Sequence, residues 1–152
     1  MTALTNTMEN RMVDHLLRGQ PLVVGSSTST WGAAPSISVA LYTVAPTDST
    51  PGTEVAGGSY ARATVASSLA NWSGTQGAGT TAVSSGTSGE VTNNISVTFP
   101  VPTADWGVVV AAGLLDSAGV LLAYSALGAV TTILLGDPAP EFAAGTLVFK
   151  LS

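Results

Sequence analysis

Apolar and polar positions recur with two different periods along this chain, and the change falls at Gly19. Before it, Leu4, Met8, Met12, Leu16 and Leu17 keep helical spacing with Val13 beside them, which predicts an amphipathic helix. Asn6 with Glu9 three residues on reads as a capping pair at its start. Gly19 is a natural stop, with Pro21 just beyond. Asp14 and Arg18 stand one turn apart on what this pattern makes the polar face, where such pairs are weak. Residues 1–19 are therefore expected to form a helix that either covers one end of the domain's own sheet or reaches out as an arm to a neighbour.

Beyond Gly19 the period shortens to that of strands. Ile37, Val39 and Leu41 alternate with Ser36, Ser38 and Ala40, a half-buried strand that runs into the turn formers of 45–52. Tyr60 to Val65 is a short strand. Ile95, Val97 and Phe99 alternate with Ser96 and Thr98 until Pro100 and Pro102 stop the ladder. Gly107 to Leu115 is one apolar strand, and Asp116-Ser117-Ala118-Gly119 is a type I turn. Val120 to Leu127 and Val130 to Leu135 then read as two buried strands parted at Gly128, and Thr146 to Leu151 closes the fold by burying Leu147, Phe149 and Leu151. Residues 73–89 are nearly all Gly, Ser and Thr without apolar period, as in a surface loop or flap that partners order. Short strands between turn signals, plus one terminal helix, predict a mainly all-β fold: an antiparallel β-sandwich or jelly-roll-like domain over 20–152.

Composition sharpens the picture. Of 152 residues, 45% are hydrophobic and only 9% charged, against roughly 25% charged in ordinary soluble domains. Such a surface is either capped by small polar residues or covered by partners. The net charge of −5 and four scattered basic residues exclude the cationic stripe that nucleic-acid binding needs. The uncharged run from Ala118 to Leu135 is long enough to raise a membrane span, but its glycines, its β-branched residues and its flanking aspartates favour strands. The lack of a signal pattern and of cysteine fits a protein made in a reducing cytoplasm.

The chemistry on offer is sparse. There is no cysteine, and the single histidine, His15, has no Gly-x-Ser-x-Gly elbow to serve. The carboxylates are spread singly, with neither calcium-loop nor metal-cluster spacing. No catalytic residue, metal, cofactor or small-molecule substrate is expected. Trp31, Trp72 and Trp106 either cap the hydrophobic core or anchor a subunit contact, where tryptophan is enriched. With Met8, Met12 and Leu16 of the helix they form the candidate interface residues.

Three stretches carry a resemblance: Ile37–Arg62 (ISVALYTVAPTDSTPGTEVAGGSYAR), Val97–Leu127 (VTFPVPTADWGVVVAAGLLDSAGVLLAYSAL) and Gly136–Leu147 (GDPAPEFAAGTL). Together with the N-terminal helix ending in His15-Leu16-Leu17-Arg18-Gly19, they resemble small virion structural proteins of tailed bacteriophages, of the head-decoration or tail-fibre kind. Ala104-Asp105-Trp106-Gly107 is the most distinctive piece; residues 73–89 look specific to this member. The resemblance implies no catalytic residues. It implies a capsid decoration, or cement, protein as the leading expectation, with the outer capsid surface as its seat, a homotrimer as its form and the major capsid protein as its partner. A tail-fibre, collar or baseplate component is the alternative, and a carbohydrate-binding module a third.

Overall fold

The computed structural model describes residues 4–25, 27–28 and 35–151. Among them one helix, α1 (Asn6–Arg18), precedes eleven strands: β1 (Val23–Val24), β2 (Ser27–Thr28), β3 (Ser36–Val44), β4 (Thr53–Glu54), β5 (Ala63–Ala66), β6 (Glu90–Thr92), β7 (Val97–Thr98), β8 (Gly107–Leu115), β9 (Leu121–Ile133), β10 (Glu141–Phe142) and β11 (Val148–Lys150). The pairs β1–β2, β3–β4, β3–β8, β8–β9 and β6–β11 are all antiparallel. The chain is thus mainly β with antiparallel sheets and one N-terminal helix, the expected class. No helix among the described residues is long and apolar enough to cross a membrane.

The chain divides into two compact units. The first is drawn from Met1–Ser36, Ala66–Ser96 and Phe142–Ser152, the second from Ile37–Val65 and Val97–Glu141.

In the first unit, α1 begins one residue earlier than the capping pair implied. Thr5 is the N-cap: its backbone is extended, and its hydroxyl accepts from the Met8 N–H at 3.4 Å, while Asn6 is already helical. The helix ends as expected at Gly19, which adopts φ +70; a Cβ added there would stand 2.7 Å from the Ser67 carbonyl oxygen. A side chain at this position would be both strained and blocked. The buried stripe also differs from the apolar pattern. Val13 and Leu17 are fully buried, and so are Asp14 and Arg18, whereas Met8, Met12 and Leu16 are half-buried and Leu4 is exposed.

Residues 73–89 explain the shift, because they lie over the face that spacing alone marks as polar. Arg18 spans the contact. Its guanidinium donates to Asp14 Oδ1 (2.6 Å), the Ala82 carbonyl (2.6 Å), Ser84 Oγ (3.0 Å) and the Trp72 carbonyl (3.0 Å). Asp14 in turn accepts from the Ser84 N–H and hydroxyl at 2.8 and 2.6 Å. Asn10 adds a second tie, donating to the Gly86 carbonyl and accepting from the Thr75 hydroxyl. The Gly/Ser/Thr segment is therefore held within the chain by buried hydrogen bonds, with Ser73, Thr75 and Ser84 buried. The weak surface pair expected of Asp14 and Arg18 is a buried one, with side chains 5% and 0% exposed.

The second unit is built on a five-stranded sheet in which β4, β3, β8 and β9 lie in that order and β5 also pairs with β3. Its centre is β3 against β8, with Ala40 opposite Gly113 and Tyr42 opposite Ala111. Interior position explains why β3 is buried on both faces from Val39 to Tyr42 and not only at the alternating apolar residues. Gly113 leaves room for its neighbours: a Cβ there would stand 2.8 Å from Leu121 Cδ1 and 2.9 Å from Tyr42 Cε2. Ala40, Tyr42, Ala111 and Leu115 pack together, with Val110 and Leu121 at the margin.

Candidate interface on the β8–β9 hairpin

The turn of this hairpin is the one the sequence predicts. Asp116 Oδ1 accepts from the Ala118 and Val120 N–H groups at 2.9 and 2.8 Å, and the Gly119 N–H closes on the Asp116 carbonyl at 3.0 Å. The chain beyond the turn corrects the expectation of two buried strands. Residues 121–133 form one strand that pairs with β8 along its length, from Leu121 opposite Leu115 to Ile133 opposite Gly107. Gly128 does not end the strand. It lies in a bulge where Leu127–Val130 face Val110 alone, between the pairs Ala111–Ala126 and Val109–Thr131. Nor is the strand buried. It is the last in the sheet, and most of it is exposed.

Two groups of exposed apolar side chains result. Near the turn stand Val120 (58% exposed), Leu122 and Tyr124; near the other end stand Val108, Val130 (61%), Leu134 and Leu135 (66%). The backbone beneath the second group is pinned, since the Leu134 N–H donates to Asp137 Oδ2 and the Leu135 N–H to Asp105 Oδ1, each at 2.8 Å. The first group borders an open groove of about 730 Å³ lined by Thr47, Asp48, Pro51 and residues 121–124. No charged residue occurs between Asp116 and Asp137. An exposed apolar edge strand without charge is a surface that proteins ordinarily protect or use.

A family model described as Podophage GP4 fiber I protein gp80 matches residues 3–150. The chain belongs to that family. None of the curated proteins matches it. Membership in the fiber I family makes the chain a structural component of a phage virion, in line with the resemblance carried by its β segments.

In this member of the family, the two described tryptophans singled out by residue type are buried rather than exposed on the hairpin. Trp72 is fully buried in the first unit, and its carbonyl receives the Arg18 guanidinium. Trp106 is buried in the second, its Nε1–H donating to the Gly58 carbonyl at 2.9 Å and its ring meeting Tyr60 edge-on with centroids 5.2 Å apart. Both rings fill the chain's own cores, the structural of the two roles open to them. Trp31 lies outside the described residues. Met8, Met12 and Leu16 share one side of α1, half-buried; they belong to the first unit and the hairpin to the second. His15 donates from Nδ1 to the Gln20 carbonyl (2.9 Å), past the C-cap.

Electrostatics are local. Arg62 grips Glu54 with two bonds of 2.8 and 2.7 Å, and this guanidinium holds the Glu54 carboxyl below its ordinary range. Glu54 Oε1 also accepts from the Tyr60 hydroxyl, whose proton burial makes harder to lose. The exposed Tyr124 phenol is likewise held up by its hydrogen bond to Asp48. No group of three metal-ligating side chains occurs among the described residues.

Proposed function

We propose that this chain is a fibre subunit of the virion that works by contact rather than by chemistry, and that the β8–β9 hairpin joins it to further copies of itself. The observation that carries this reading is an exposed, charge-free edge strand in a chain of net charge −5. Identical acidic copies repel one another except where they meet through uncharged surface. A free strand edge offers backbone donors and acceptors to a second β9, while Val108, Val130, Leu134 and Leu135 supply apolar area to be covered. The family description favours a fibre over the outer-capsid seat that the resemblance first implies. Closure into a cyclic homo-oligomer, a trimer in the simplest case, would cover the strand without open-ended growth.

The experiment is a particle lacking this protein. A fibre subunit predicts particles that keep their heat stability but adsorb poorly to cells. Particles that adsorb normally yet release DNA at lower temperature would reject the fibre reading in favour of a cement subunit seated on the major capsid protein.

A further inference from the structure

The groove beside the hairpin turn has a different chemical character from the apolar end of β9. Its lining combines the apolar residues Pro51, Leu121, Leu122 and Ala123 with Tyr124, Thr47 and Asp48. The Tyr124 ring is 40% exposed, and its hydroxyl is anchored by a 2.8 Å bond to Asp48 Oδ1. Both Tyr124 and Asp48 are held in advance. Tyr124 stands opposite Gly113 on a paired stretch of β9. Asp48 lies in a turn tied by Thr47, whose hydroxyl accepts from the Ser49 and Thr50 N–H groups and bonds the Thr50 hydroxyl at 2.7 Å. Two backbone bonds between Thr47 and Thr50 close the same turn. Ligand binding would therefore order little new structure.

Lining chemistry narrows the ligand. No cationic side chain lines the groove among the described residues, so phosphate, sulfate or carboxylate would meet Asp48 without compensation. A metal ion would find one carboxylate and few further oxygen ligands. A purely aliphatic ligand would desolvate that carboxylate and leave it the Tyr124 hydroxyl as its partner, without replacing the water it loses. A neutral ring with one C–H face and a rim of hydroxyls satisfies both halves: its apolar face packs on Tyr124 and Pro51, and its hydroxyls donate to Asp48. The volume lies within the range usual for small-molecule sites.

We infer that this groove is a binding site for a neutral saccharide, held by the Tyr124 ring and the Asp48 carboxylate. Such binding goes beyond a structural role in the virion and does not depend on it.

The test uses the full chain, titrated calorimetrically with maltotetraose, cellotetraose, mannotetraose and chitotetraose after a screen on arrayed neutral glycans. At least one neutral saccharide should bind at sub-millimolar concentration. Tyr124→Ala should weaken it by roughly three- to tenfold, the scale of a lost aromatic stacking contact. Asp48→Asn should weaken it less, and Tyr124→Phe should retain most of it. Tyr124 is exposed on an edge strand, and unchanged circular dichroism confirms that the variants fold. Absence of binding by every neutral glycan, preference for anionic glycans, or binding that survives Tyr124→Ala each overturns the proposal. Light scattering on the same samples reads self-association separately, so the two ideas can fail independently.

Discussion

Two charged residues show how much a single side chain decides in a chain with so few. Arg18 is buried with its donors directed to Asp14, Ser84 and the carbonyls of Trp72 and Ala82. Arg18→Ala leaves a buried carboxylate and two carbonyls without their partner, and should cost about 3 to 5 kcal/mol in denaturant unfolding. Arg18→Lys should recover only part of this, because a point-like ammonium cannot reproduce the planar fork. Glu54 makes a pH-dependent case in the second unit. Its carboxyl is held below the ordinary 4.5 by Arg62. A depressed folded value stabilises the fold above the unfolded pKa, and that stability is lost as pH falls through the folded one. The stability difference between wild type and Arg62→Gln should thus be full above about pH 5 and shrink on acidification. Thermal melts across pH, with carbon-detected titration of Glu54, read both ends. A difference that grows on acidification would show that Arg62 acts through something other than Glu54.

At the scale of elements, α1 and the 73–89 segment are one cooperative piece. Removing residues up to Gly19 strips Arg18, Asp14 and Asn10 from beneath Ser84, Ala82 and Thr75. Amide exchange should then show the Ser84 amide, which donates to Asp14, open while β3 and β8 stay protected; continued protection of Ser84 would mean the segment is ordered by other contacts. The same elements show what a sequence reveals. The extent of β8 and the turn after it are legible because a continuous apolar run bounded by Gly107 and an Asp-x-x-Gly turn reports local backbone preferences. The buried face of α1 is not, since hydrophobic spacing cannot show that a buried Arg–Asp pair outranks Met8 and Met12 in burial. The apparent break in β9 misleads for a related reason: Gly128 looks like a strand end, and only pairing with β8 turns it into a bulge. The candidate site is least legible of all. Residue type directs attention to tryptophans, while exposure of β9 depends on which strand occupies the sheet's edge.

For the whole molecule, the proposed role of the charge-free edge is open to test in solution. Leu135→Lys and Val130→Lys place a cation on exposed positions, so each variant should fold as before. If β9 joins copies of the chain, the double variant should run as a monomer in light scattering where the wild type is a closed oligomer. An unchanged oligomer would move the contact elsewhere, with the half-buried side of α1 the next place to look. The order in which the two units can form is set by another property of the chain, the way it weaves between them. The last strand of the five-stranded sheet ends at Ile133, but the first unit needs β11, which pairs Phe149 with Val91 and Lys150 with Glu90. The sheet thus needs nothing made after Ile133, whereas the unit that holds Trp72, Val13 and Leu17 must bring β6 together with a strand about sixty residues downstream of it, a contact of long loop closure. A chain cut short before Val148 would keep every strand of the five-stranded sheet and lose the partner of β6, so damage at this end falls on the first unit alone.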